Sequence, residues 1–336
     1  MTRVFYFLIF LMVSVACVEK TPQPKVQQGN AFGTTYTIQF YSERNVDMSR
    51  GVDSVINQIN QSVSTYMPTS DISKINKGDS TIVVDDIFKE VYVISEKVYK
   101  ESSGYFDPTI GVLRNAYGFG DVKPLERIDS PVLDSLMRYV GFQKVSITSE
   151  GTVKKEHPEI YFDFNAVAKG YGIDRIGAYL EAEGIENFLI ELGGELLAKG
   201  QNIAKNKPWV VGIEAVDSAL DNRNYEATVP LVDRAMASSG NYRKFRIDSI
   251  TGKRFVHTIN PLTGSAEKSD VTSATILAPT CALADAYATA CMALGLEKSK
   301  VLLASLPNVE AYLTYQDGEQ SRVYQTPGMA AIMKTN

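Results

Sequence analysis

The sequence predicts a single α+β domain, and three observations carry that expectation. Amphipathic helical stretches and β-branched runs are mixed along the 336 residues without a regular strand–helix–strand rhythm. With 44% apolar and 22% charged residues, the composition is that of a globular chain with ample material for a core. After residue 30 no internal repeat, coiled-coil heptad or linker divides the chain. A net charge of -5 argues against a nucleic-acid partner, which needs a basic surface. Two histidines, His157 and His257, are too few for a His-rich zinc site, and Cys17, Cys281 and Cys291 are too few for a disulfide framework.

The start is expected to lie outside the fold. Residues 1–16 begin with Arg3, run apolar from Val4 to Val13 and end in small residues, the pattern of a secretory signal and too short a run to span a bilayer. Ser14-Val15-Ala16-Cys17 resembles the bacterial lipobox, in which the Cys is acylated; Ser14 stands where a Leu is usual. Residues 17–30, polar and rich in Pro and Gln, are expected to form a lipid-anchored flexible tether, and residues 31–336 the domain. The mature protein is therefore expected to be exported and held at a membrane without spanning it.

Within the domain, Thr34–Tyr41 alternates as a strand does. Met48, Val52, Val55, Ile59 and Val63 keep helical spacing behind a cap at Asp47. Asp85 or Asp86 opens a second helix with Ile87, Val91, Ile94 and Val98 on one face, ending by Gly104. Ser130-Pro131 reads as the cap and first residue of a short helix closed by Gly141. A longer helix is expected from near Ala166 to Gly184, then a strand Phe188–Leu192 ending in Gly193-Gly194. Strand-like runs and turns alternate from Trp209 to Ile276; Thr280 caps an Ala-rich helix reaching about Leu294, and Val309–Tyr315 returns to strand.

Three segments could carry chemistry. In the Ala-rich helix, Asp285 and Thr289 lie four apart and share a face cleared of bulk by Ala282, Ala286, Ala288 and Ala290. Such oxygen donors suit magnesium, which takes one or two carboxylates and completes its shell with phosphates and water; an Ala-rich core helix whose Asp caps a loop is the alternative. Phe162-Asp-Phe-Asn-Ala-Val-Ala-Lys169 places Asp163 and Lys169 around a helix start, where N–H groups can cradle phosphate, or where Asp163 is a plain cap. His257, before the turn Asn260-Pro-Leu-Thr-Gly264, is either an acid–base group or a structural histidine. Tyr66 and the Tyr105-Phe106-Asp107 loop offer aromatics that pack or stack on a planar ligand. No Ser-His-Asp order, CxxC, P-loop or GxGxxG is present.

Taken in order, Phe32-Gly-Thr-Thr-Tyr36, Ser64-Thr-Tyr66, Gly104-Tyr-Phe-Asp-Pro-Thr-Ile-Gly111, Tyr117-Gly-Phe-Gly120, Asp163-Phe-Asn-Ala-Val-Ala-Lys-Gly-Tyr171, Leu192-Gly-Gly194, Ala237-Ser-Ser-Gly-Asn-Tyr242, His257-Thr-Ile-Asn-Pro-Leu-Thr-Gly264 and the Asp285/Thr289 helix make a series. That series resembles the FAD:protein FMN transferases, the ApbE-type flavin transferases once called thiamine-biosynthesis lipoproteins, over about residues 30–325. The resemblance implies binding of FAD and Mg2+, and transfer of FMN to a Thr or Ser hydroxyl of an exported protein with release of AMP. The acceptors it implies are subunits of redox pumps or extracellular reductases. It implies metal ligands at the Ala166 carbonyl, Asp285 and Thr289, and FAD contacts at Phe32, Tyr66, Tyr105, Phe106, Asp107, Asp163, Lys169 and Ile259. His257 is the candidate acceptor for the hydroxyl proton. Two other readings stay open at this point: a Mg-dependent FAD pyrophosphatase giving FMN and AMP, and a tethered flavin-binding lipoprotein without turnover.

Overall fold

The computed structural model describes residues 22–44, 46–215, 224–241, 245–247, 252 and 254–335. The signal segment, Cys17 and Tyr242 lie outside the described residues.

The first hairpin joins β1 (Lys25–Ala31) to β2 (Thr34–Phe40) in register from Lys25 opposite Phe40 to Ala31 opposite Thr34. Lys25–Asn30, expected within the flexible tether, are therefore strand. Their Gln- and Asn-rich sequence hides a strand because β1 is the edge of the sheet and Val26 points its one large apolar side chain into solvent. Helices α1 (Ser49–Val63), α2 (Asp71–Asn76) and α3 (Asp86–Glu101) follow, then α4 (Gly111–Tyr117) and α5 (Ser130–Met137). The Asp85 carboxylate caps α3 by accepting from Phe88 N at 2.8 Å. At α1 the cap position falls to Met48, while Asp47 accepts from Ser49 N at 2.9 Å. At α5 the cap is Asp129 rather than Ser130, because its carboxylate reaches Val132 N at 3.2 Å and Ser130 is already helical.

A small hairpin of β3 (Val145–Ile147) and β4 (Val153–Lys155) precedes α6 (Ala168–Ala182). Then come β5 (Phe188–Leu192), β6 (Glu195–Lys199), β7 (Trp209–Glu214), β8 (Tyr225–Leu231), β9 (Arg234–Gly240), β10 (Phe245–Ile247), β11 (Arg254–Val256) and β12 (Val271–Ala278). The chain closes with α7 (Cys281–Leu294), α8 (Leu296–Ser305), β13 (Glu310–Asp317), β14 (Gln320–Gln325), α9 (Pro327–Ile332) and β15 (Lys334–Thr335). The main sheet has the order β1-β2-β5-β6-β9-β12-β13-β14. Its neighbouring strands all run antiparallel, as an α+β domain requires.

Three layers result. On one face Ile38, Phe40, Ile190 and Leu192 of the sheet pack with Val52 and Ile56 of α1 and Ile173, Ile176 and Leu180 of α6. Further along that face Ala274, Ile276 and Ala278 pack with α7, whose alanines bring it close, and with α3 behind it. On the opposite face Leu189, Leu196, Met236 and Leu277 meet Trp209, Val211, Ala227 and Val229 of the small sheet β15-β8-β7. The β5–β6 turn is two residues, Gly193 and Gly194, both at positive φ (59° and 104°), a conformation that favours glycine.

Candidate active site

A cleft of about 750 Å³ opens where α6 and α7 meet the β5–β6 turn, the small sheet, and the loops around Phe106 and His257. It collects Tyr105, Phe106, Asp107, Asp163, Ala166, Lys169, His257, Ile259, Asp285 and Thr289. Residues more than 180 positions apart in the sequence thus share one wall.

The α6–α7 contact supplies the donors. Asp285 is buried, and its Oδ2 accepts from Gly170 N at 3.2 Å. In a helix begun earlier, that N–H would bond to the Ala166 carbonyl; Ala166 lies in the turn just before α6 and accepts no backbone bond among the described residues. The carbonyl is thereby left as an acceptor on the cleft wall, beside Asp285 and Thr289. A carbonyl, a carboxylate and a hydroxyl form an all-oxygen set, the kind a hard divalent cation takes. Burial raises the Asp285 carboxyl pKa, while Lys169 and the Gly170 N–H pull it back. A cation on the cleft side would fit this demand for positive charge.

Lys169 leaves the first turn of α6 and pairs with Glu195, Nζ to Oε2 at 2.5 Å. Burial opposes the lysine charge, but Glu195 and then Asp285 overcome it and raise its pKa. Glu195 itself is pushed up to about 7 by burial, against the pull of Lys169. Asp163 is paired to Arg114, and its Oδ1 accepts from Asn165 N at 2.8 Å and Asn165 Nδ2 at 2.7 Å. The Tyr105 ring carries Lys298 over its face, with Nζ 4.5 Å from the centroid. The Asp107 carboxylate organises its own loop, taking Thr109 N at 2.7 Å, Thr109 Oγ1 at 2.6 Å and Phe142 N at 3.0 Å. The His257 ring lies edge-on to Phe119 with centroids 6.5 Å apart.

Two expected contacts do not line the cleft. Phe32 sits at positive φ in the β1–β2 turn, which turns its ring onto Gly172 of α6. Tyr66 is 61% exposed and reaches the site only through its bond to Arg114. Other groups were missed. Arg114 lines the cleft, and burial works against its charge until Asp163 and Tyr66 reverse the effect and raise its pKa. The facing hydroxyls of Ser238 and Thr275, 2.8 Å apart on β9 and β12, add a polar patch to the wall. Neither carries a sequence signal: one Arg in a helix and hydroxyls in strands are ordinary until the fold gathers them.

The ApbE family profile matches residues 32–313, which span every element lining the cleft. The chain belongs to the ApbE family. Among its relatives is the FAD:protein FMN transferase of Haemophilus influenzae, 31% identical over 317 residues, covering 91% of this chain and 90% of that protein. Another is the FAD:protein FMN transferase of Vibrio cholerae, 31% identical over 302 residues and covering 87% of each. The solved structure of the Vibrio cholerae flavin transferase ApbE superposes with a TM-score of 0.81 at 27% identity, covering 93% of this chain and 99% of that one. The apo Pseudomonas stutzeri flavinyl transferase ApbE gives 0.80 at 26% identity, with 92% and 97% covered. The chain is an ApbE-family transferase.

Proposed function

We propose that this chain transfers FMN from FAD to a Thr or Ser hydroxyl of an exported acceptor protein and releases AMP, with Mg2+ as its metal. The observation that carries the reading is the convergence of the Ala166 carbonyl, Asp285 and Thr289 on the cleft that also holds His257. The three oxygens would hold the ion. When bound, Mg2+ would offset the negative charge that builds on the pyrophosphate oxygens during displacement.

The chain's own residues do the rest. Phe106, Tyr105 and Ile259 give apolar walls against which a flavin ring can pack. The hydroxyl oxygen attacks the phosphorus on the FMN side, the bond to AMP breaks, and the hydroxyl proton passes to His257. Lys169, held at the helix start by Glu195, adds positive potential at the same wall. Neither cysteine of the described residues is placed to act as a nucleophile. Cys281 and Cys291 are both buried, and burial pushes the Cys281 thiol well above its ordinary value and Cys291 up to about 12. The reading takes transfer to the acceptor as direct. Cys17 would carry the lipid that holds the exported enzyme at the membrane, close to acceptors such as redox-pump or extracellular reductase subunits.

The test is an incubation with FAD, Mg2+ and an acceptor domain, following flavin fluorescence on the denatured acceptor together with AMP. Transfer predicts equal amounts of both. Release of free FMN and AMP at the same rate without acceptor would make the protein a pyrophosphatase, and flavin binding with no AMP would leave it a carrier.

A further inference from the structure

Helix α7, which carries Asp285 and Thr289, and helix α6, which follows the Ala166 turn, hold each other by reciprocal bonds. Asp285 of α7 accepts from Gly170 N in the first turn of α6, at 3.2 Å. One turn further along α6, the Asp174 carboxylate accepts from Cys281 N at 2.7 Å and Ala282 N at 2.9 Å, the first two residues of α7. Each helix therefore supplies a carboxylate to the N-terminal N–H groups of the other, where the helix dipole also favours negative charge. The backbones touch at this point: a Cβ on Gly170 would lie 2.3 Å from the Cys281 carbonyl oxygen. Asp174 does not line the cleft, and its carboxylate faces the start of α7 rather than the substrate space. Its chemistry is costly to maintain, because burial pushes the carboxyl up to about 7 while the two N–H groups hold it down.

The geometry of this pair fixes a quantity the site needs. The Ala166 carbonyl stands immediately before α6, whereas Asp285 and Thr289 stand on α7. The spacing between carbonyl and carboxylate is thus the spacing and axial register of the two helices. Gly170 sets how closely they approach, and Asp174 sets the register by gripping the first two N–H groups of α7.

We propose that Asp174 is a positioning residue for the metal site, aligning α7 on α6 so that Asp285 and Thr289 meet the Ala166 carbonyl around one ion. This rests on the metal-site reading above. The test uses the whole mature protein, free of FAD, with Mg2+ titrated by calorimetry into wild type, Asp174→Ala, Asp174→Asn and Asp285→Ala, with FAD affinity measured separately in EDTA. Asp174→Ala should weaken Mg2+ binding by about 10–100-fold, the range found when groups orienting metal ligands are removed. Asp174→Asn, which keeps one acceptor oxygen, should fall between it and wild type. FAD affinity in EDTA should stay at the wild-type value in both, and kcat should recover at saturating Mg2+ while the Mg2+ requirement stays raised. A merely structural role would lower Tm and leave the Mg2+ affinity of the folded Asp174→Asn protein unchanged. That result overturns the proposal while the loss of binding in Asp285→Ala still supports the site itself. A wild type that binds no Mg2+ overturns both.

Discussion

His257 and Asp285 reach the cleft from different elements, one from the residue after β11 and the other from α7, and their substitutions should fail in different ways. Replacing His257 by Ala should lower turnover by roughly 10²–10⁴ with little change in FAD affinity, because only the proton transfer is lost. A near-normal kcat with a raised KM would assign His257 to substrate binding instead. Asp285→Ala should abolish transfer and Thr289→Val impair it, and wild-type rates that ignore EDTA would reject the metal's role. Asp107 gives a prediction about stability. Its folded pKa of about 6 lies above the ordinary 3.8, because burial outweighs the Thr109 and Phe142 bonds. Between those values the folded state holds a proton that the unfolded chain releases, so this group's contribution is fullest at low pH and is lost as pH rises to about 6. Urea titrations should therefore show wild type losing ground to Asp107→Asn between about pH 4 and pH 6; a difference flat with pH would contradict it. At this scale much of the site was legible. Asp285 and Thr289 announce themselves by spacing on a face of alanines, and His257 by scarcity. Arg114 and Glu195 gave no such sign, since their meaning lies in partners 49 and 26 positions away, Asp163 and Lys169. The direction of the Phe32 ring, onto Gly172, depends on a positive φ that its residue type does not signal.

The helices α1, α3, α5, α6 and α7 were legible, because caps and apolar spacing are local, whereas α2, α4, α8 and α9 were not read. Thr280 and Asp85 cap α7 and α3, and α6 starts two residues later than Ala166, the shift that leaves the Ala166 carbonyl without a backbone donor among the described residues. The strands β1, β3 and β4 were not legible: the first is polar at a sheet edge, and the others are three residues long. Nor does any local pattern reveal that α6 and α7 touch. Gly170→Ala tests that contact directly. A methyl 2.3 Å from the Cys281 carbonyl must push the helices apart, at a cost of about 1–3 kcal/mol typical of overpacking. Thermal unfolding should fall accordingly, and Mg2+ affinity with it. By contrast, Gly33, where a Cβ would meet nothing, should accept Asn, which tolerates positive φ, with little change in either measurement.

For the molecule as a whole, the α+β class followed from mixed periodicities, whereas the three-layer arrangement did not, because the pairing order of the main sheet interleaves distant strands. The anchor is the prediction that belongs to this scale. Cys17→Ser should move the protein from the detergent phase to the aqueous phase with loss of the lipid mass, and unchanged partition would reject lipidation. The early start of β1 then acquires a further meaning. Pairing with β2 is already in place at Lys25, so a lipid on Cys17, if that prediction holds, would sit only eight peptide steps from the paired strand. Fully extended, they span at most roughly 25–30 Å. An enzyme anchored on so short a leash would work only in the layer of solvent next to the bilayer, and an acceptor would have to bring its hydroxyl down into that layer. Proteins rooted in the same membrane meet this condition at all times, whereas freely diffusing ones meet it only on collision with the surface. Selectivity for acceptors would in part be a matter of altitude.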